Sequence, residues 1–547
     1  MTESTTPESE EVEVDTKQLI IDAYLEIIAA KKAIPVQSDF YNHDIKRHVI
    51  RYHFGGMDGL HYHMSTHHHE EIEEYFSTVD KLFQKKEEVK QAMKKQRFII
   101  TTAVADAPAD TDFLNSMKSY CKKNDAQILI LPCESITNSF DRRTATFDKE
   151  FRHSDYTFIT DDTPLNENLL LCSIQVSAKQ VKPITGLNRL GNREGSYIFA
   201  SPKQFLEYIP CGNSRTKNYA IMTPGACTKP KYYSQTFVSK RLSYIADNDH
   251  TIGAIIVELE NDRTLHFRQL QADEQGTFID LGVQYNPDGT TEKVTTNVVL
   301  GDIHSQHLDT DCTKSFIESM EDMNIGECFL HDIFDGYSIN HHITNIGARA
   351  RRMVAGVGRL DEELELTANT VRYIHAELNA DTTYIVKSNH DEFLDRYLDE
   401  ARYVDDPVNH YTSILIAPAL FSEELGSPLE YGFHLFSEDL SSDIIFLSRG
   451  DEMKISEVEC GAHGDLGLNG AKSSLNGLEK VYGKCVVAHT HSAAIQRDVF
   501  RVGTFTELDM GYNRGPSSWT QTACLIYDNG QRQLVNYIDG KFYKDQK

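Results

Sequence analysis

Long apolar runs are missing from this 547-residue chain. None approaches the ~20 residues a helical membrane span requires, so no such span is expected. No stretch reads as a secretory signal peptide. The ten cysteines are scattered, several inside apolar runs, with no C-x-x-C spacing. A disulfide framework and a thiolate zinc site are therefore disfavoured, and reduced thiols in a cytoplasm are the plain expectation. Repeats of solenoid type are absent. Positive charge is short too: 55 Lys and Arg stand against 82 Asp and Glu, a net −27. That balance argues against a nucleic-acid binder unless the cations are concentrated in patches. The length suggests two to four domains with sizeable cores.

What is present is a series of apolar runs that end in metal-ligand chemistry. Asn297 to Asp309 reads N-V-V-L-G-D-I-H-S-Q-H-L-D, a buried strand that delivers Asp302 and His304 to its C-terminal end. In extended backbone, residues i and i+2 share a face and can reach one ion. Gly326 to Asp335 leads into Asp332 and Asp335. Thr382 to Asp391 ends in Asn389, His390 and Asp391. Ile455 to Asp465 presents His463 at a glycine turn, and Lys484 to His491 presents His489 and His491. Helical sequence separates several of these runs, most clearly from Asp361 to Leu378. Strands alternating with helices imply parallel βαβ units, which would bring five ligand sets to one rim. Any single motif is a common turn or cap; five in series are not. The ligands are oxygen and imidazole, a mixture that suits Mn, Fe or Zn better than Ca.

The order D-x-H, D-x-x-D, N-H-D, H, H-x-H resembles the calcineurin-like metallophosphoesterase superfamily over about residues 295–547. The match departs from the family pattern at His331 and Ser388, where glycines are usual, and at Gly336, where the Ser/Thr phosphatase branch has arginine. The resemblance implies a catalytic β-sandwich flanked by helices and two divalent cations. Mn²⁺ is favoured, as in the nuclease branch, with Mg²⁺, Fe or Zn as alternatives. It implies that Asp302, His304 and His491 hold one ion and Asn389, His463 and His489 the other, with Asp332 bridging. It further implies that His390 lies at the scissile phosphate, with Asp335 orienting its imidazole. Two such ions clamp the attacking and leaving oxygens of an in-line displacement at phosphorus.

The rest of the chain reads as follows. Residues 1–15 are acidic and expected to be a disordered tail. Residues 16–68 form a helical module: an amphipathic helix over 16–32, then a second from about Asp44 that exposes Lys46, Arg47 and Arg51 and ends at Phe54-Gly55-Gly56. From Ile34 to Leu60 the sequence resembles the small helix-turn-helix modules of phage and homing endonucleases, which implies DNA contact. Between Lys31 and His53 five cations face two acids, a local +3. His67-His68-His69 is expected to be a solvated surface, and residues 69–96 a charged linker helix. Residues 97–294 form an α+β middle domain that opens with strand, helix and strand. Within it, Ala178 to Leu242 carries eleven cations against two acids, a local +9, interleaved with Tyr197, Phe199, Tyr208, Tyr219, Tyr232 and Tyr233. Basic loops with aromatics suit a nucleic-acid groove, with Arg189, Arg193, Arg215 and Lys217 as candidate contacts. Phe500 to Tyr543 is expected to complete the second catalytic sheet, with hairpin turns at Asp528-Asn529-Gly530 and Asp539-Gly540. Arg349, Arg351 and Arg352 either hold a phosphate or line a solvated helix face.

As a whole the order of segments resembles the pre-early host-DNA-degrading DNases of T5-like bacteriophages. That resemblance implies an α/β, metal-dependent DNase in the infected bacterial cytoplasm, and leaves room for a homo-oligomer or a small phage-encoded partner protein. The competing readings are a phosphomonoesterase or cyclic-nucleotide phosphodiesterase on the same dinuclear centre, and a non-catalytic DNA-binding host-takeover protein.

Overall fold

The computed structural model describes residues 8–31, 35, 37–68, 95–134, 147–152, 155–190, 195–210, 218–232, 237–340, 345–510 and 515–542. Within these the chain is mixed α/β, with a short helical N-terminal region and three large sheets. No described helix is long and apolar enough to cross a membrane.

The sheet that carries the first three motifs has six strands. Ile444–Phe446, Thr382–Val386, Asn324–His331 and Thr295–Asp302 run parallel, and Gln521–Tyr527 and Arg532–Tyr537 continue antiparallel. Its strands read as unbroken apolar runs because both faces are buried. Val298 and Leu300 pack on one side against Phe316, Leu364, Val371 and Phe433 of the covering helices. Val299 and Phe329 enter a second core, shared with Ile198, Leu206, Met222, Val486 and Phe500 of the next sheet and with Ile100, Leu129 and Val257 of the third.

That next sheet has ten strands and draws on two distant stretches of sequence. Lys454–Ile455, Val458–Glu459, Cys485–Val487, Val499–Arg501 and Ala494–Gln496 pair onward, through Ala494–Gln496 against Gln204–Pro210, with strands from Thr163 to Pro224. The sheet therefore crosses the boundary expected at residue 294. The third sheet has five strands and contains the predicted strand–helix–strand unit, here Arg97–Val104, Thr111–Asn124 and Gln127–Cys133. Asp110 caps the helix, its side chain accepting from the Phe113 N–H.

Several expectations need correction. The five motifs do not share one parallel sheet: the fourth and fifth lie in the ten-stranded sheet, and the rim forms where two sheets meet. Periodicity reveals a strand but not its neighbours. Likewise Gln521–Tyr527 and Arg532–Tyr537 extend the first sheet, not the second. Their hairpin turns at Gly530 as read, and Asp539-Gly540 has the positive φ pair (51° and 71°) of a tight hairpin turn.

The N-terminal helix runs Glu8–Lys31, so it begins inside the expected disordered tail; Glu is a good helix former and favours a helix start. The expected second helix is Arg47–Phe54, closed by Gly55 at φ 74°, with Ile50 buried and Lys46, Arg47 and Arg51 exposed. His67 ends the helix Met57–His67 and His68 caps it. His69 and nearly all of the expected linker helix lie outside the described residues.

The basic segment is less of a groove than its composition suggests. Tyr197, Phe199 and Tyr232 are core residues. Lys203 is buried in an ion pair with Asp249 at 2.9 Å, and Lys182 pairs with Glu207 at 2.7 Å. Arg189 is exposed. Arg193, Arg215, Lys217 and Tyr233 lie outside the described residues.

One backbone approach sets the position of the first motif. A Cβ on Gly301 would lie 2.5 Å from the Gly503 carbonyl oxygen, and one on Gly503 would overlap the Thr520 carbonyl. The Asp302 N–H donates to the Gly503 carbonyl at 3.2 Å. Gly503→Ala is expected to cost about 2–4 kcal/mol, since backbone cannot yield as a side chain does. Urea unfolding measures this; an unchanged midpoint would mean the close approach is not needed.

Candidate metal centre

Asp302 leaves the end of its strand, and the chain then turns so that His304 sits at φ 42°. Asp332, His489 and His491 also have positive φ (44°, 75° and 58°). Left-handed backbone is costly for such residues and persists where surrounding structure fixes it, commonly at functional sites. Here the His304 N–H donates to the Asp332 carbonyl at 2.8 Å, and the His489 N–H donates to Asp302 Oδ1 at 3.2 Å. The turns that carry separate motifs hold one another.

The side chains converge. His491 Nε2 is 2.9 Å from Asp302 Oδ2, and His304 Nε2 lies 3.2 Å from His491 Nε2 and 3.7 Å from Asp332 Oδ2. On the other side of Asp332, His463 Nε2 is 3.3 Å from Oδ2 and 3.1 Å from Asn389 Oδ1. The His463 and His489 rings meet at 5.2 Å between centroids. Two groups able to hold a cation result: Asp302, His304, Asp332 and His491, and Asp332, His463 and His489, with Asn389 beside the second. Asp332 belongs to both. All seven ligand residues expected from the sequence are brought together.

The donor set fits divalent cations. Asp332 Oδ1 and the Nδ1 atoms of His463 and His491 are buried without a hydrogen-bond partner, and Asp302 and Asp332 are almost wholly excluded from water. A buried carboxylate pair facing unsatisfied imidazole nitrogens requires compensating positive charge. Among these side chains that charge can only be protons. Burial disfavours protonation of His304, but Asp335, Asp332 and Asp302 outweigh it and raise its pKa to about 9. His463 is raised to about 9 against its burial by Asp332 and Asp302. Asp332 is held well below the usual carboxylate range, its burial outweighed by the neighbouring imidazoles.

The surrounding contacts correct one assignment. The Asp335 carboxylate does not orient His390; Oδ1 accepts from His304 Nδ1 at 3.0 Å and Oδ2 from the Gln306 N–H at 3.0 Å. His390 Nδ1 donates instead to the Asp335 backbone carbonyl at 3.1 Å, with its ring edge-on to His304 at 4.7 Å. Two positions that depart from the resemblance have defined surroundings. Ser388 Oγ accepts the Asp391 N–H at 3.2 Å, and Asp391 Oδ2 accepts the Ser388 N–H at 3.0 Å, locking the turn that presents Asn389 and His390. His331 is fully buried with its ring beside His463, and burial keeps it neutral, its pKa lowered to about 3.

Some contributors were not singled out from sequence. Arg449 binds Asp465 through two contacts of 2.7 and 2.9 Å and Glu392 at 2.8 Å, tying the fourth motif to the helix after the third. Trp519 packs against His491 with ring centroids 4.3 Å apart. Its one available signal was being the sole tryptophan of the chain. Arg352 is buried over the Tyr337 ring at 4.1 Å and Arg351 is exposed; the Arg349 side chain lies outside the described residues.

Fold and site together define a mixed α/β protein with a buried Asp/His cluster suited to divalent cations. More particularly, the chain is 31% identical over 489 residues to Protein A1 of Escherichia phage T5, an alignment that covers 83% of this chain and 84% of the phage protein. It belongs to that protein's family. No family model matches the chain. Among solved structures, Chaetomium thermophilum Vps29 in complex with a RaPID-derived cyclic peptide aligns with 37% of this chain and 97% of its own length, at 16% identity and a TM-score of 0.21.

Because His304 and His463 have pKa values near 9, a cation must displace their protons. Affinity for Mn²⁺ is therefore expected to rise with pH up to about 9, by as much as tenfold per pH unit for each proton released. Calorimetry in buffers of different ionisation enthalpy counts those protons. Asp335→Asn, which weakens the hold on His304, is expected to lower Mn²⁺ affinity about 10–100-fold. PH-independent affinity would contradict the assigned ligands.

Proposed function

We propose that this chain is a two-metal-dependent nuclease that hydrolyses DNA phosphodiester bonds, acting on host DNA in an infected bacterium. The observation that carries the proposal is Asp332, one carboxylate common to two adjacent ligand groups. Membership of the phage T5 Protein A1 family supports the phage setting. Asp302, His304, Asp332 and His491 would hold one cation, and Asp332, Asn389, His463 and His489 the second. A pair of divalent ions there supplies charge neutralisation at the phosphate and activation of the attacking water.

The chain's own residues do the rest. The Asp335 carboxylate fixes His304 through Nδ1, so that Nε2 faces Asp332 and His491. His390 commits Nδ1 to a carbonyl, which leaves Nε2 as its one nitrogen able to exchange a proton with the leaving oxygen. Phe393 packs on that ring at 4.8 Å and limits its rotation. Exposed Lys46, Arg47 and Arg51 on the N-terminal helices, with Arg189, supply positive side chains for phosphates in an otherwise acidic chain.

Cleavage of plasmid DNA with Mn²⁺, with Mg²⁺ and with EDTA tests this, beside hydrolysis of p-nitrophenyl phosphate. DNA cleavage is expected with metal and none with EDTA. His390→Ala should cut about 10²–10⁴-fold more slowly while still binding Mn²⁺, and Asp332→Asn should lose both cleavage and metal. Turnover of p-nitrophenyl phosphate without DNA cleavage would assign the centre to a phosphomonoesterase. Replacing Lys46, Arg47 and Arg51 together by Ala should weaken binding of all DNA sequences alike. It should also reduce the slope of log affinity against log salt by about 2–3. An unchanged slope removes that helix from the interface.

A further inference from the structure

A cavity of about 170 Å³ lies beside the metal centre, lined by Tyr208, Tyr219, Phe267 and Trp519 with Asn218 and Arg263 among its polar residues. Trp519 joins the two sites: its ring lies against His491, and the next residue, Thr520, donates its N–H to the His491 carbonyl at 2.8 Å. The cavity is smaller than the roughly 300–1,000 Å³ of drug-sized pockets and has the scale of one heteroaromatic ring system.

Its walls are fixed in advance. Tyr208 donates its hydroxyl to Asn536 Oδ1 at 2.7 Å, and Asn536 Nδ2 donates to the Phe267 carbonyl at 3.2 Å. The Asn218 amide donates to the Trp519 carbonyl, which sets its orientation and leaves Oδ1 as a buried acceptor without a hydrogen-bond partner. Arg263, the cation among the described lining residues, is engaged by Glu167 at 2.6 Å. The cavity thus offers aromatic faces, with its described lining cation already paired; this suits a neutral, flat ring better than a phosphate.

We propose that this cavity is a nucleobase subsite, which takes one base of the substrate strand while the adjoining phosphate lies at the metal centre; the second half of that statement rests on the nuclease reading. Aromatic walls accept any base by stacking. A base reaches such a cavity from a single strand, or after leaving the stack of a duplex.

Trp519, as the sole tryptophan, reports on the cavity by its emission. The full-length protein in EDTA, where metal-dependent cleavage is absent, would be titrated with deoxyadenosine, deoxycytidine, thymidine and deoxyribose. A saturable change is expected with all three nucleosides and none with deoxyribose. Tyr219→Ala should weaken all nucleosides about tenfold. With Mn²⁺, an abasic site moved along a single-stranded oligonucleotide should suppress cutting about tenfold at one fixed distance. A chain that binds nucleosides but cuts no DNA keeps the subsite and loses the nuclease reading. A chain that cuts DNA but shows neither a nucleoside response nor abasic-site dependence loses the subsite.

Discussion

A single carboxylate, Asp332, is the constraint on which the rest depends. It is almost fully buried, at φ 44°, between His304 on one side and His463 on the other. A buried charge is tolerated only where opposite charge or strong donors surround it. Asp302 stands in the same water-excluded space, so the demand for positive charge is doubled. Two raised imidazole pKa values answer it when protons alone are at hand, and divalent cations held by the same atoms would answer it too.

The fold exists to hold that concentration of charge. The first three motifs enter from parallel strands of one sheet and the last two from another, and the sheets are welded by a shared apolar core that includes Val299, Phe329, Val486 and Phe500. Around the rim, main-chain N–H groups brace one motif against another: His304 donates to the Asp332 carbonyl, His489 to Asp302 Oδ1, and Ala488 to the His463 carbonyl. Left-handed residues at four of the candidate ligands store strain that this mutual bracing sustains. Gly301 and Gly503 let the two backbones come within contact distance at the point where Asp302 leaves its strand. The result is a preorganised set of donors, with little side-chain freedom left to lose when a ligand arrives.

Much of the site was legible because it is written in local patterns. D-x-H, N-H-D and H-x-H each follow a strand, and period and burial make strands easy to see. The seven candidate ligands that the structure brings together could be named on that basis together with the family resemblance. The role of Asp335 was misjudged, since its carboxylate serves His304 and only its carbonyl serves His390. Side-chain and main-chain acceptors of one residue cannot be told apart in a sequence. The basic middle segment misled for a different reason: composition counts Lys203 and Tyr197 as surface, whereas a partner 46 residues away and a sheet face bury them. Trp519 was missed because it belongs to no motif and matters only through the ring it touches.

By itself the sequence determined the chemical inventory of the centre and the strands that carry it, because ligand type and two-residue spacing are properties of a few adjacent positions. It also determined the opening strand–helix–strand unit and the cationic helix near the N-terminus, for the same reason. Only the tertiary structure decided that the motifs split between two sheets. It alone decided that Gln204–Pro210 joins Ala494–Gln496 across nearly three hundred residues, and that an aromatic cavity opens next to His491. Those outcomes depend on which apolar faces find each other on collapse, a choice that no short stretch of chain contains.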